Sequence, residues 1–137
     1  MISSIPLYWR LKKSKYNLIG SRCKVCSGVY FPPKQICPKC RRKGQLEEFV
    51  LSGRGKIYSW TVIRAAPDGF EHQAPYAVAI IELEEGIKIA GQIVNPPEEV
   101  EIGKPVRVVF RKICEDGQAG LIHYGIKWEI VENQDQI

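Results

Sequence analysis

Beyond residue 50 the apolar positions of this chain recur with a period of two; before it they do not. Lys56 to Arg64 alternates, with Tyr58, Trp60 and Val62 between two cations on one face of an extended strand and Ile57, Ser59, Thr61 and Ile63 on the other. The aromatic face is expected to be core. Tyr76 to Leu83 is a dense apolar strand and Ile87 to Val94 the next, joined at Glu84-Glu85-Gly86, where glycine is free to take positive φ. Pro96-Pro97-Glu98-Glu99-Val100 suits one helical turn, and Gly103-Lys104-Pro105 opens a strand from Val106 to Ile113. A polar loop from Glu115 to Gly120 leads to a last strand, Leu121 to Val131. Five strands with a short helical insertion after the third follow the order of an OB-fold barrel, with Ala65 to Pro75 as a rim loop. A five-stranded sandwich would leave open edges that closure removes.

The first third reads differently. Tyr8 to Tyr16 predicts a short helix, with Trp9 and Lys13 on one face and Tyr8 and Lys12 on another. Two roles are open for its aromatics: packing back on the segment that follows, or docking a partner. Lys43-Gly44 and Ser52-Gly53-Arg54-Gly55 punctuate the chain, with Leu46 to Leu51 as a strand connecting two units. The expected organisation is an N-terminal helical segment over residues 1–22, a rubredoxin-like zinc ribbon over 23–45 and a five-stranded OB-fold domain over 46–137, mainly β throughout.

The ribbon rests on Cys23-Lys24-Val25-Cys26 and Cys37-Pro38-Lys39-Cys40. Two residues between thiolates let a tight turn aim both sulfurs at one ion, and the ten-residue gap folds the second pair opposite the first. Four thiolates complete the tetrahedron of Zn2+ and leave no open position, so the site is structural. Thiolates alone also accommodate iron, which keeps a rubredoxin-like electron carrier open. An odd cysteine count disfavours disulfides. Cys114 stands apart.

Charge separates the same two regions. Residues 1–52 carry 11 Lys and Arg against 2 acidic residues; residues 53–137 carry 9 against 13. A tetrathiolate zinc centre is a −2 unit, which accounts for Lys24, Lys39, Arg41 and Arg42 around it but not for Arg10, Lys12, Lys13 and Lys15 upstream. The apolar run Ala77 to Ile81 is far too short to span a membrane, and the N-terminus lacks the order of a secretory signal, so a cytoplasmic protein is expected. The histidines, His72 and His123, stand in no nucleophile motif, and Gly53-Arg54-Gly55 is too short for a phosphate-binding fingerprint. No catalytic constellation emerges.

Taken in order, Tyr8-Trp9-Arg10, Leu18-Ile19-Gly20-Ser21-Arg22-Cys23, Tyr30-Phe31-Pro32-Pro33, Cys37-Pro38-Lys39-Cys40, Ser52-Gly53-Arg54-Gly55-Lys56, Ala74-Pro75-Tyr76 and Ile102-Gly103-Lys104-Pro105-Val106 form a series. It resembles the prokaryotic zinc-ribbon/OB-fold family associated with acyl-CoA metabolism and long labelled a domain of unknown function. One departure is Ser27, where such a knuckle often has glycine. The resemblance implies a non-catalytic subunit, not an enzyme, that bridges thiolase-like and HMG-CoA-synthase-like enzymes and helps to hold acyl-CoA.

Under that reading Arg54, Lys56, Arg64 and Tyr76 are the expected CoA contacts, cations for its phosphates and an aromatic wall beside them. Tyr8, Trp9 and Arg10 are the expected docking anchors, since aromatics and Arg dominate interface energetics. The alternative is a nucleic-acid-binding module, a use to which both ribbons and OB folds are put. Against it, the net positive charge lies in the ribbon half and not on the barrel that would track phosphates.

Overall fold

The structure, a computed structural model, describes residues 4–132. It opens with helix α1 (Ile5–Asn17), longer at its start than the expected Tyr8 to Tyr16. Pro6 sits in the first turn, where its missing N–H costs nothing, and Leu18 ends the helix in the left-handed region at φ 50°. Strands β1 (Ile19–Cys23), β2 (Val29–Tyr30) and β3 (Leu46–Val50) form an antiparallel sheet in the order β2-β1-β3. Strand β3, expected as a strand connecting the two units, is paired along its whole length with β1, from Ile19 opposite Val50 to Cys23 opposite Leu46.

The second sheet contains β4 (Arg54–Ile63), β5 (Tyr76–Leu83), β6 (Lys88–Gln92), β7 (Pro105–Glu115) and β8 (Ile122–Ile130), in the order β6-β5-β4-β7-β8. Its two outer strands meet. Ile93 pairs in parallel with Trp128, Val94 N–H donates to the Trp128 carbonyl at 2.8 Å, and Ile130 N–H donates to Asn95 Oδ1 at 2.9 Å. A 3-10 turn at Pro97–Glu99 follows the third barrel strand, as the sequence predicts, and another at Glu71–Gln73 lies in the rim loop. Gly86 takes φ 82° in the β5–β6 hairpin. This nearly closed five-stranded sheet has the OB-fold arrangement. Among the described residues no helix is long and apolar enough to cross a membrane.

The alternation along β4 does not survive intact. Pairing with β5 runs from Ile57 opposite Ile81 to Ser59 opposite Ile80, so Tyr58 is an extra residue in a β-bulge. The bulge shifts the phase by one. Ile57 is buried at 1%, whereas Tyr58 is 52% exposed, with Lys88 Nζ 3.8 Å above its ring. Beyond the bulge Trp60 and Val62 stand opposite the buried Ala79 and Ala77, and so join the face of Ile57. Trp60 is still 37% exposed. The expectation that Tyr58 and Trp60 are core is therefore corrected: Ile57 fills that place.

One apolar cluster holds both modules. Ile57, Ile81, Ile89, Ile93, Val106 and Trp128 of the barrel are continuous with Leu18 and Leu51, and Val29, Phe31 and Phe49 of the ribbon half pack against them. Trp128 lies over Gly91, where an added Cβ would stand 2.5 Å from its indole. Gly91→Ala is expected to cost roughly 1–3 kcal/mol. Chemical denaturation checks this, and adding Trp128→Phe to the variant should recover part of the loss.

Candidate functional site

Each cysteine pair is set by the same backbone device. Ser27 N–H donates to the Cys23 carbonyl at 2.9 Å and takes φ 59°; Arg41 N–H donates to the Cys37 carbonyl at 2.8 Å and takes φ 53°. The left-handed residue after the second cysteine turns the chain back, and at Ser27 a non-glycine residue adopts that conformation itself. The four sulfurs of Cys23, Cys26, Cys37 and Cys40 converge to within 4.8 Å of one another. Cys23 and Cys37 are fully buried.

The first thiol of each pair is stabilised as thiolate. Hydrogen bonding from the Cys26 N–H lowers the Cys23 pKa, and the Cys40 N–H, 3.5 Å from Cys37 Sγ, helps to hold Cys37 at about 6 against the opposing effect of burial. Tyr30 Oη, 3.6 Å from Cys37 Sγ, adds to this. Cys40 is pushed up to about 12, chiefly by burial. Four convergent sulfurs with N–H donors behind them fit a closed tetrahedral ion, and Zn2+ bound there would contribute directly to folding.

Three of the upstream cations, and Lys24 beside the thiolates, have local partners. Lys13 Nζ is 2.7 Å from Glu48, Lys24 Nζ is 3.3 Å from Glu47, and Lys15 and Lys12 lie over the rings of Tyr8 and Trp9. The helix aromatics divide. Tyr8 packs on His123 at 4.5 Å between ring centroids and Tyr16 on Phe110 at 5.2 Å, both on the barrel and not on the ribbon. Trp9 is 75% exposed, and Arg10 beside it is exposed, with no ion pair among the described residues.

The four expected CoA contacts do not form one group. Arg54 and Lys56 start β4 while Arg64 follows its other end. Arg64 lines a cleft of about 430 Å³ with Val62, Pro75 and Pro97. Tyr76 lines an adjoining one of about 530 Å³, also bounded by Pro75 and Pro97. Arg54, Lys56 and Arg64 are exposed and Tyr76 is half-buried.

The larger cleft holds residues that the sequence did not single out. Lys127 Nζ donates to Gln73 Oε1 at 3.0 Å, Gln92 Nε2 donates to the same oxygen at 3.1 Å, and Gln73 Nε2 donates to the Ile113 carbonyl at 2.9 Å. Desolvation, with Arg111 nearby, lowers the Lys127 pKa. The only signal in the chain was a lysine between Ile126 and Trp128 in a strand, which reads equally well as a solvent-facing position. His123, also buried, pairs with Asp116 Oδ2 at 2.9 Å.

These features define a two-module protein, a tetrathiolate ribbon built onto an OB barrel. The sequence matches the family described as "ChsH2, rubredoxin-like zinc ribbon domain" over residues 13–47 and "ChsH2, C-terminal OB-fold domain" over 49–111. A DUF35 domain-containing scaffold protein of Methanocaldococcus jannaschii is 58% identical over 126 residues, which cover 91% of this chain and 89% of that protein. One with the same description from Methanothermobacter thermautotrophicus is 51% identical over 94% of this chain and 98% of its own. The benzoylsuccinyl-CoA thiolase subunit BbsA of Thauera aromatica is 36% identical over 62% of this chain and 61% of its own. A solved structure described as the Ltp2-ChsH2(DUF35) aldolase superposes with a TM-score of 0.66 at 26% identity, covering 95% of this chain and 96% of that one. The chain belongs to the DUF35 family of zinc-ribbon/OB-fold proteins.

Relieving the left-handed strain at the knuckles is expected to stabilise the ribbon. Ser27→Gly should gain up to about 1 kcal/mol, read as a higher midpoint in melting of the metal-loaded protein. Cys37→Ser should lower metal content well below the one zinc per chain expected by elemental analysis.

Proposed function

We propose that this chain is a non-catalytic, acyl-CoA-binding scaffold subunit of the cytoplasm. It bridges a thiolase-like enzyme and an HMG-CoA-synthase-like enzyme, with a structural zinc in its ribbon. The observation that carries this reading is α1. The helix has no buried residue and leaves Ile5, Leu7, Trp9 and Leu11 between 39% and 75% exposed, while Tyr8 and Tyr16 tie it to the barrel. Apolar anchors on a helix tied to the barrel suit a docking surface centred on Trp9 and Arg10, with Tyr8, packed on His123, holding the helix in place. The relatives support the enzyme class of the partners, since one is named a thiolase subunit and several are named scaffold proteins.

Acyl-CoA enters at the rim. Arg64 and Tyr76 border adjoining clefts beneath the 64–75 loop, and Arg54 and Lys56 supply cations at the far end of β4. The acyl-transfer chemistry belongs to the partner enzymes. Tyr58 and Trp60, exposed on the barrel, keep a nucleic-acid module as the second reading, because exposed aromatics are what base stacking requires.

Affinity purification from the native host, with mass spectrometry of what co-elutes, tests the scaffold reading. Near-stoichiometric thiolase-like and synthase-like enzymes are the expected result; nucleic-acid-processing proteins released by nuclease would favour the second reading. Removing residues 1–16 should abolish co-elution while the barrel stays folded by circular dichroism. Arg54→Ala with Arg64→Ala should weaken CoA binding by more than about tenfold in calorimetry, and an unchanged affinity would discard those contacts.

A further inference from the structure

A buried cation without a matching anion marks the cleft at the seam between β6 and β8. Lys127 is only 7% exposed and makes no ion pair among the described residues. An ammonium has three donors, and the acceptor it reaches, Gln73 Oε1, is a neutral oxygen shared with Gln92. That bond satisfies one N–H and leaves the charge uncompensated, a costly arrangement in a desolvated place. Gln73 cannot turn to offer more, since its own Nε2 is held by the Ile113 carbonyl.

A second cation faces the same space. Arg111 lines the cleft, is exposed and is likewise without an ion pair among the described residues, whereas Lys112, also at the wall, is engaged by Glu115 at 2.7 Å. Pro75, Tyr76, Ile93 and Pro96 supply an apolar wall beside the charges, and the cleft, at about 530 Å³, is the size of a small-molecule site. Two uncompensated cations match a doubly charged group; a monocarboxylate would leave one of them unmatched.

We propose that this cleft is a phosphoester-binding site, in which Lys127 and Arg111 hold a phosphoryl dianion or a pyrophosphate while Tyr76 and the prolines receive the organic part. The cleft shares its Tyr76 wall with the acyl-CoA reading, but the inference does not depend on CoA, because these cations recognise the phosphoryl group whatever it is attached to. CoA is one source of such groups and a free nucleotide is another.

The test is calorimetric titration of the full-length chain with inorganic pyrophosphate, then with ADP and with CoA. Pyrophosphate should bind the unaltered protein, acetate should not compete, and Lys127→Met and Arg111→Ala should each weaken binding by about tenfold or more. Lys112→Ala should change it far less. Arg111 is at the surface, so its variant folds even if Lys127→Met does not. Pyrophosphate should also raise the melting temperature of the unaltered protein and not that of Lys127→Met, a response that a lysine with a purely structural role would leave intact. No pyrophosphate binding, or binding by both variants as tight as by the unaltered protein, overturns the site. If pyrophosphate and ADP bind and CoA does not, the site stands and the acyl-CoA reading falls. If CoA binds the unaltered protein and both variants equally, the site falls and the acyl-CoA reading stands.

Discussion

Closure of the barrel depends on the packing of Trp128 over Gly91, because this contact brings the two outer strands of the sheet together. The indole occupies the space that any side chain at residue 91 would need, and its backbone carbonyl receives the Val94 N–H. Closure removes two strand edges that would otherwise be open to pairing. It also fixes what lies on the other face of β8. Lys127 neighbours Trp128 in a strand and so points away from it, toward Gln92 and the rim loop. The same backbone positions that complete the core therefore assemble the polar cluster around Gln73.

The ribbon and the barrel are bound to one another by more than chain continuity. The Leu51 N–H donates to the Leu18 carbonyl at 3.2 Å and extends the β1–β3 ladder, and both residues are buried in the cluster shared with the barrel. Helix α1 then leaves the ribbon and rests its tyrosines on β7 and β8. The exposed apolar side chains of α1 are thereby held in a fixed position relative to both the thiolate cluster and the rim loop. The scaffold role proposed above requires such a fixed relation.

Much of this was legible in the sequence for reasons that can be named. Cysteine spacing dictated the ribbon, and period-two runs with turn residues between them dictated the barrel strands and their order. Alternation alone places Tyr58 in the core, whereas a bulge depends on how β4 pairs with β5, and nothing in the residues of β4 alone marks it. Leu46 to Leu51 reads as a strand, but its pairing with β1 is non-local, and no pattern within either segment announces it. Ser27 departs from the glycine often found at such a knuckle, and the structure places it in the left-handed conformation that glycine favours. Lys127 was invisible for a different reason. Alternation predicts which residues share a face, and it does not say that a rim loop folds over the face expected to meet solvent.

The continuous core has a consequence for how the protein responds to its surroundings. Since ribbon and barrel residues belong to one cluster, neither module opens without exposing apolar surface of the other. An ion that binds only the folded ribbon then stabilises the entire unit by mass action, in proportion to the logarithm of its free concentration once that exceeds the dissociation constant. Metal supply and the integrity of the rim clefts become linked quantities, although no thiolate lines either cleft.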